Sequence, residues 1–302
     1  MEMHQLRYFV AVTRTGTFSR AAGECRVAQP SLSQQIQKLE SEVGERLFER
    51  TRRRAILTPA GALFLPHALS ILETAEQGRQ EIREMSGQVR GKILLGALPT
   101  IAPYFLPEIV RLFREKYRGV ELILHEEATL QLLRGLEENE LDLALISDAA
   151  PNPRIRIEKL FSEELLLCLP ADHALVRQRV VVAADLEQEK FILMQEGHCL
   201  GAQAQRFCQT KGLRPQISCR SAQIATVLAM VQAGLGVSLI PEMARNQGPA
   251  GSVVYRSLDG TPPRRTLALA MSRQRKSSRC VLEFSKFIRD HRQKKAVLKR
   301  AS

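Results

Sequence analysis

Two runs, Phe18-Ser19-Arg20-Ala21-Ala22 and Gln29-Pro30-Ser31-Leu32-Ser33-Gln34-Gln35-Ile36, separated by the break Arg26-Val27-Ala28, decide how the N-terminal part of the chain folds. Phe18, Ala21, Ala22 and Cys25 recur at i, i+3, i+4 and i+7, which is one face of a helix. The second run opens with a proline suited to a first helical turn and sets Leu32, Ile36 and Leu39 on one side. Upstream, Leu6, Phe9 and Val10 give another helix its apolar face. Small Ala21 and Ala22 let the helices approach closely, and the connection between them is short. The spacing predicts a compact three-helix unit built around a helix-turn-helix.

The opposite face of its third helix carries Ser31, Gln34, Gln35 and Lys38, again at helical spacing, with Gln29, Pro30 and Ser33 on the same candidate surface. Amides and hydroxyls on an exposed helix suit base edges in the major groove, where glutamine pairs with adenine and lysine reads guanine or phosphate. Arg50-Thr51-Arg52-Arg53-Arg54 follows. Arg50, Arg52, Arg53 and Arg54 are placed to grip phosphates or a minor groove, as a wing does. The plain alternative is an ordinary polar face on a surface helix. The close packing, the short turn and the arginine cluster weigh against it.

These runs, with Leu39-Glu40, Leu47-Phe48-Glu49-Arg50 and Leu57-Thr58-Pro59-Ala60-Gly61, resemble the N-terminal domain of LysR-type transcriptional regulators. The resemblance extends along the chain, apart from the last basic residues. It implies an α/β protein with an all-α head. The parts expected are a winged helix-turn-helix over residues 1–58, a linker helix over 59–90, and a two-lobed regulatory domain like a periplasmic binding protein over 91–302.

Thr58 and Pro59 start the linker helix, whose Leu65, Ala68, Leu69, Leu72 and Ala75 form an apolar stripe continuing to Ile82 and Met85. A lone helix cannot stably expose such a stripe. Pairing with a second copy is the natural solution, and the resemblance implies a homodimer or homotetramer. Beyond Gly87 to Gly91, short apolar runs alternate with helical stretches. The strands expected are Ile93–Ala97, Val120–His125, Leu141–Ile146, Leu165–Leu169, Phe191–Met194, Val237–Ile240 and Leu267–Met271, in largely parallel sheets. Leu165–Leu169 and Thr266–Met271 are the candidate crossings between lobes.

Among the 6 cysteines, Cys199 and Cys208 stand out. The run Gly197-His198-Cys199-Leu200 places Cys199 at the start of a helix, where unpaired N–H groups and the helix dipole favour a thiolate. Cys208 lies nine residues on, roughly 13 Å along an intact helix and beyond the roughly 7 Å Cα limit for a disulfide. A bond between them requires unwinding, which is the outline of a redox switch. The alternative is that both are small buried hydrophobes. Cys25, Cys168, Cys219 and Cys280 read as core. A zinc site from His198, Cys199, Cys208 and Cys219 lacks the short spacing within ligand pairs, so neither metal nor cofactor is expected.

Pro99-Thr100, His125, Thr129, His198-Cys199-Leu200, Cys208 and Arg264-Arg265 together resemble the hydrogen-peroxide-sensing, OxyR-like branch of the family. That resemblance implies Cys199 as the thiol that meets peroxide and Cys208 as its resolving partner. Thr100, Thr129 and His198 would hold the peroxide, with His125 nearby, and Arg265 would hold the thiolate. Taken singly, Thr129 could be a helix cap, Thr100 a turn residue, His125 a strand-end histidine and Arg265 a surface charge. Gly201-Ala202 depart from the pattern, since these sensors often carry Arg-Asp there.

The net charge of +12 suggests a polyanionic partner, although residues 273–302 supply most of it, with 11 Lys and Arg against 2 Asp and Glu. No signal peptide or membrane-length apolar run is evident, so a cytoplasmic chain with no membrane partner is expected. The partners expected are double-stranded DNA at near-palindromic promoter sites, hydrogen peroxide, a second copy and, by resemblance, RNA polymerase. Two other functions compete. One is a LysR-type regulator binding a small organic effector between the lobes, with incidental cysteines. The other is an enzyme acting on peroxide, which would need no helix-turn-helix.

Overall fold

The first helix, α1 (Met3–Thr15), starts where the Glu2 N–H donates to Gln5 Oε1 at 2.8 Å and ends at a left-handed Gly16. Thr17 caps α2 (Phe18–Cys25), its hydroxyl accepting from the Arg20 N–H at 3.3 Å. Arg26 then turns the chain through the left-handed region (φ 55°) and leads into α3 (Gln29–Val43), with Pro30 in its first turn. Leu6, Phe9, Ala21, Ala22, Leu32, Ile36 and Leu39 are buried together, as the spacing predicts. A hairpin of β1 (Phe48–Arg50) and β2 (Ala55–Leu57) forms the wing. The computed structural model describes residues 1–50, 54–84, 89–148, 150–195, 199–245 and 251–301. Thr51, Arg52 and Arg53 of the arginine cluster, as well as Met85, Gly87, Gly197 and His198, lie outside them.

The Thr58 hydroxyl accepts from the Gly61 N–H at 3.0 Å and caps α4 (Pro59–Glu84). A Cβ on Gly61 would lie 2.1 Å from the Leu47 carbonyl oxygen, so only glycine lets α4 pass this close to the wing. Phe64, Leu65, Ala68 and Leu72 pack on the head core. The first half of the apolar stripe, which the sequence offers to a second copy, is therefore used at home. Leu63, Ile71 and Ile82 remain exposed. Head and α4 form one compact unit, Met1–Gly87, and Gln88–Ser302 forms another.

The second unit begins with β3 (Arg90–Ala97), α5 (Ala102–Lys116), β4 (Gly119–Glu126), α6 (Thr129–Glu137) and β5 (Leu143–Ser147), whose strands are parallel in the order β4-β3-β5. β6 (Ile155–Pro170) then runs into the second lobe. There follow β7 (Lys190–Met194), α7 (Cys199–Thr210), β8 (Gln216–Ser221), α8 (Ile224–Gln232), β9 (Ser238–Pro241) and β10 (Val253–Arg256). β11 (Arg264–Ser272) returns to the first lobe, and α9 (Arg279–Ala301) closes it. Each lobe has its own core, one around Phe113 and Phe284, the other around Phe191 and Leu239.

The expectation of largely parallel sheets needs correction. β3, β4 and β5 are parallel, as are β7 and β8, but β6 pairs antiparallel with β9, β10 and β11. The crossings are likewise displaced. The first part of β6, to Glu164, pairs with β11, and Leu165 onward pairs with β9 and β10. The chain thus passes between lobes at Glu163 to Leu165 and at Arg264 to Arg265, where the Leu165 N–H donates to the Pro263 carbonyl at 2.8 Å. The apolar runs mark where each strand is buried after the crossing, and the polar residues at the crossing itself hide it from an apolar-run reading.

Candidate functional site

Among the described residues Arg265 is the largest fully buried side chain, 1% exposed, and it sits at the crossing. Its Nε donates to Glu163 Oε1 at 2.8 Å, Nη1 to the Thr100 hydroxyl at 3.0 Å, and Nη2 to the Thr100 carbonyl at 3.0 Å. Glu163 accepts a further bond from the Met243 N–H at 2.8 Å. A buried charge is costly unless paired and bonded, and this one is held on three sides. Arg265 is therefore no surface charge. Thr100, buried in the turn after β3, is more than a turn residue, because both its oxygens fix the guanidinium.

Cys199 is the first residue of α7, a helix of the second lobe, yet it packs against the core of the first. The expectation that the helix start alone yields a thiolate is corrected here. Burial pushes the thiol above its ordinary range, and the positive charge of Arg265, the Leu200 N–H and the Thr129 hydroxyl only oppose that rise, while Asp148 adds to it. The resting group is a thiol with a cation beside it, ready to hold the charge that forms when the proton leaves.

Thr129 is the first residue of α6, whose N-cap position is Ala128, so it is not the cap. Its buried hydroxyl makes no well-formed hydrogen bond but lies close enough to Cys199 to favour the thiolate. The side chain of Gln203, one turn beyond Cys199 on α7, crosses to the first lobe and donates to Ser147 Oγ at 3.1 Å and to Asp148 Oδ2 at 2.5 Å. Gln203 Oε1 is also buried and unpartnered. Asp148 is held in the left-handed region (φ 47°), where its other oxygen accepts from the Thr266 N–H at 2.9 Å. The Thr129 hydroxyl beside the half-buried thiol and the Gln203 amide oxygen, one helical turn along α7 from it, suit a small guest with two O–H groups. His125 is exposed near the end of β4, opposite Gly96, and is not drawn into these bonds.

Cys208 lies at the other end of α7, buried in the second core, and burial pushes its thiol up to about 11. The two cysteines thus belong to one intact helix and to opposite cores. A Cβ on Gly201 would fall 2.6 Å from the Met194 carbonyl oxygen. The departure at this position has a physical reason, since glycine lets the first turn of α7 lie against the end of β7. Of the cysteines read as core, Cys168 and Cys280 are buried, but Cys25 and Cys219 are only half-buried. Among the described residues no cluster of three His, Cys, Asp or Glu could hold a metal ion.

On α3, Gln29, Pro30, Ser31, Gln34 and Lys38 are exposed, whereas Ser33 and Gln35 are half-buried. Gln35 Oε1 accepts from Gln5 Nε2 at 3.2 Å, which ties it to α1. Arg54 is exposed beside β2, and Arg50 ends β1.

Residues 3–62 match the family described as bacterial regulatory helix-turn-helix protein, lysR family, and residues 86–293 match the LysR substrate binding domain. The chain belongs to the LysR family. It is 34% identical over 270 residues to the DNA-binding transcriptional dual regulator OxyR of Escherichia coli K12, covering 89% of this chain and 88% of that protein. A probable hydrogen peroxide-inducible genes activator of Mycobacterium avium is 38% identical over 240 residues, 79% of this chain and 77% of that protein. The structure of a full-length OxyR variant of Pseudomonas aeruginosa aligns with a TM-score of 0.75 at 28% identity, covering 97% of this chain and 95% of that one. As a LysR-family protein the chain has the winged head and two-lobed regulatory unit expected from its sequence. Among the described residues no helix is long and apolar enough to cross a membrane.

Glu163, Asp148, Gln203 and Tyr104 escaped the sequence reading of this LysR-family chain. Tyr104 belongs to the first lobe but packs on the second core, and burial pushes its hydroxyl up against the opposing charge of Arg265. Spacing gives no sign of these residues, because they meet only where separate strands and helices converge. Glu163 alone had a local signal, an acidic pair interrupting a strand that becomes wholly apolar beyond it.

Proposed function

We propose that this chain is a transcription regulator that senses hydrogen peroxide at Cys199, stores the signal as a Cys199–Cys208 disulfide and activates oxidative-stress genes. The observation that carries this reading is the half-buried Cys199 thiol, with the Arg265 charge and the Thr129 hydroxyl acting on it and the Gln203 amide oxygen one helical turn away. These two oxygens would accept the two O–H groups of peroxide. The Thr100 hydroxyl, already accepting from Arg265, keeps its own proton to donate. His198 and His125 enter as peroxide contacts on the family resemblance.

In the first step the Cys199 sulfur attacks one peroxide oxygen and the O–O bond breaks. The thiol proton passes to the departing oxygen, which leaves as water, so sulfur is oxidised to a sulfenic acid and peroxide is reduced. Arg265 favours the negative charge that builds on sulfur. In the second step the Cys208 sulfur attacks the sulfenic sulfur, the S–O bond breaks, and the Cys208 proton leaves with the hydroxyl as a second water. The product is the disulfide.

The DNA-binding surface consists of Gln29, Pro30, Ser31, Ser33, Gln34, Gln35 and Lys38 with Arg50, Arg52, Arg53 and Arg54, acting on a near-palindromic site as a homodimer or homotetramer. Exposed Leu63, Ile71 and Ile82 on α4 support a second copy. RNA polymerase is the further partner. The protein works in the cytoplasm, as a regulator and not an enzyme. The test is promoter output after a peroxide pulse. Cys199→Ser should abolish the response while the reduced form still binds DNA, and a variant that responds like wild type would end the proposal.

A further inference from the structure

We infer that the end of the first lobe remote from the thiol carries a second site, for a small dianionic oxyanion: inorganic phosphate or the phosphoryl group of a phosphate monoester. A pocket of 340 Å³ lies there, lined by Arg156 on β6, Arg273 and Arg275 just past β11, and Arg289 on α9, with Ser277 and the apolar Leu282 beside them. This volume lies within the range of small-ligand sites, about 300–1,000 Å³, and is far too small for a duplex.

The charges in this pocket do not balance. Arg156 and Arg289 share one carboxylate, Glu158, at 3.3 and 3.2 Å. Arg275 pairs with Asp142 at 2.6 Å. Arg273 donates to the Ile155 carbonyl at 3.3 Å and, among the described residues, has no carboxylate partner. Among the described residues, four guanidinium groups line the pocket, and the carboxylates set against them are Glu158 and Asp142. The surplus of positive charge suits a phosphate monoester, which carries about 1.5 to 2 negative charges at neutral pH. Guanidinium forks bind phosphoryl oxygens in pairs, and Leu282 offers an apolar wall to the organic part of an ester. The same two strands that reach this pocket hold Glu163 and Arg265 further along, so an occupant would bear on the strands that carry the ion pair.

Calorimetric titration of the reduced full-length protein with inorganic phosphate, in chloride buffer at matched ionic strength, tests the site. Saturable binding of one phosphate per chain is expected, weakened about tenfold or more in Arg273→Gln and Arg156→Gln, each of which should melt like wild type without phosphate. Glycerol 3-phosphate distinguishes the sources: tighter binding than phosphate assigns an organic ester, and equal binding assigns phosphate itself. No saturation up to about 10 mM, or variants that bind like wild type, would overturn the site. A variant that loses salt dependence in DNA binding, in a protein showing no phosphate saturation, would also overturn it and make the patch a DNA-backbone surface.

Discussion

Arg265 and Glu163 are direct cross-strand partners on β11 and β6, and their side chains form a 2.8 Å ion pair buried at both ends, where the chain passes between lobes. One contact therefore pins the crossing and sets the charge that acts on Cys199. Arg265→Ala should destabilise the reduced protein by about 3–5 kcal/mol in urea, because Glu163 is left buried and unpaired. It should also raise the Cys199 thiol further and slow its alkylation. Arg265→Lys keeps the charge without the fork, so it should recover thiol reactivity more than stability. Wild-type stability and alkylation in Arg265→Ala would show the pair to be incidental.

The buried Cys208 thiol predicts a pH dependence of a definite sign. Cys208 is raised from its ordinary 9.0 to about 11 in the folded protein. The unfolded chain therefore loses this proton first, and the stability the group contributes is present below about pH 9 and lost as pH rises through about 11. Across that window Cys208→Ala should lose less stability than the reduced wild type, by about 2–3 kcal/mol. Parallel curves for the two proteins would contradict the burial argument.

Thr129→Val removes a buried hydroxyl that makes no well-formed hydrogen bond, while nearly keeping the shape of the side chain. The reduced protein should be as stable or slightly more so, by up to about 1 kcal/mol. Its oxidation by peroxide should slow about tenfold. The chain has no tryptophan, so the rate is best followed by quenching and thiol alkylation. Unaltered oxidation would remove Thr129 from the peroxide pocket.

The head could be read almost entirely from its sequence. Helical spacing placed Leu32, Ile36 and Leu39 inside, and all are buried. Spacing sets Gln35 on the outer face, but it could not show that α1 brings Gln5 within bonding distance of it. In the regulatory unit, apolar runs located the buried parts of strands, but they missed polar edge strands such as β8 and the half-buried start of β6. The thiol environment was the least legible feature. A helix-start position suggests a lowered thiol, and only the packed structure shows that burial outweighs it.

On DNA, Gln34 and Arg52 should behave differently. Gln34→Ala should relax base choice at one operator position, costing about 1–3 kcal/mol against the preferred base. Arg52→Ala should weaken all sequences alike and flatten the salt dependence of binding. Binding competitions across single-base operator variants at two salt concentrations separate these effects. Equal losses of specificity from both substitutions would mean that the reading face is misassigned.

Cys199 and Cys208, nine residues apart in one helix and packed on opposite cores, should bond only when α7 unwinds. Backbone hydrogen exchange of α7 and the segment up to Arg220, compared in reduced and peroxide-treated protein whose disulfide is confirmed by mass spectrometry, tests this most directly. Protected amides across Leu200 to Thr210 are expected in the reduced form, with fast exchange there after oxidation and restored protection once a reductant is added. Identical exchange in the two forms, with the disulfide present, would mean that the cysteines bond without unfolding the helix, and the switch as described would be wrong.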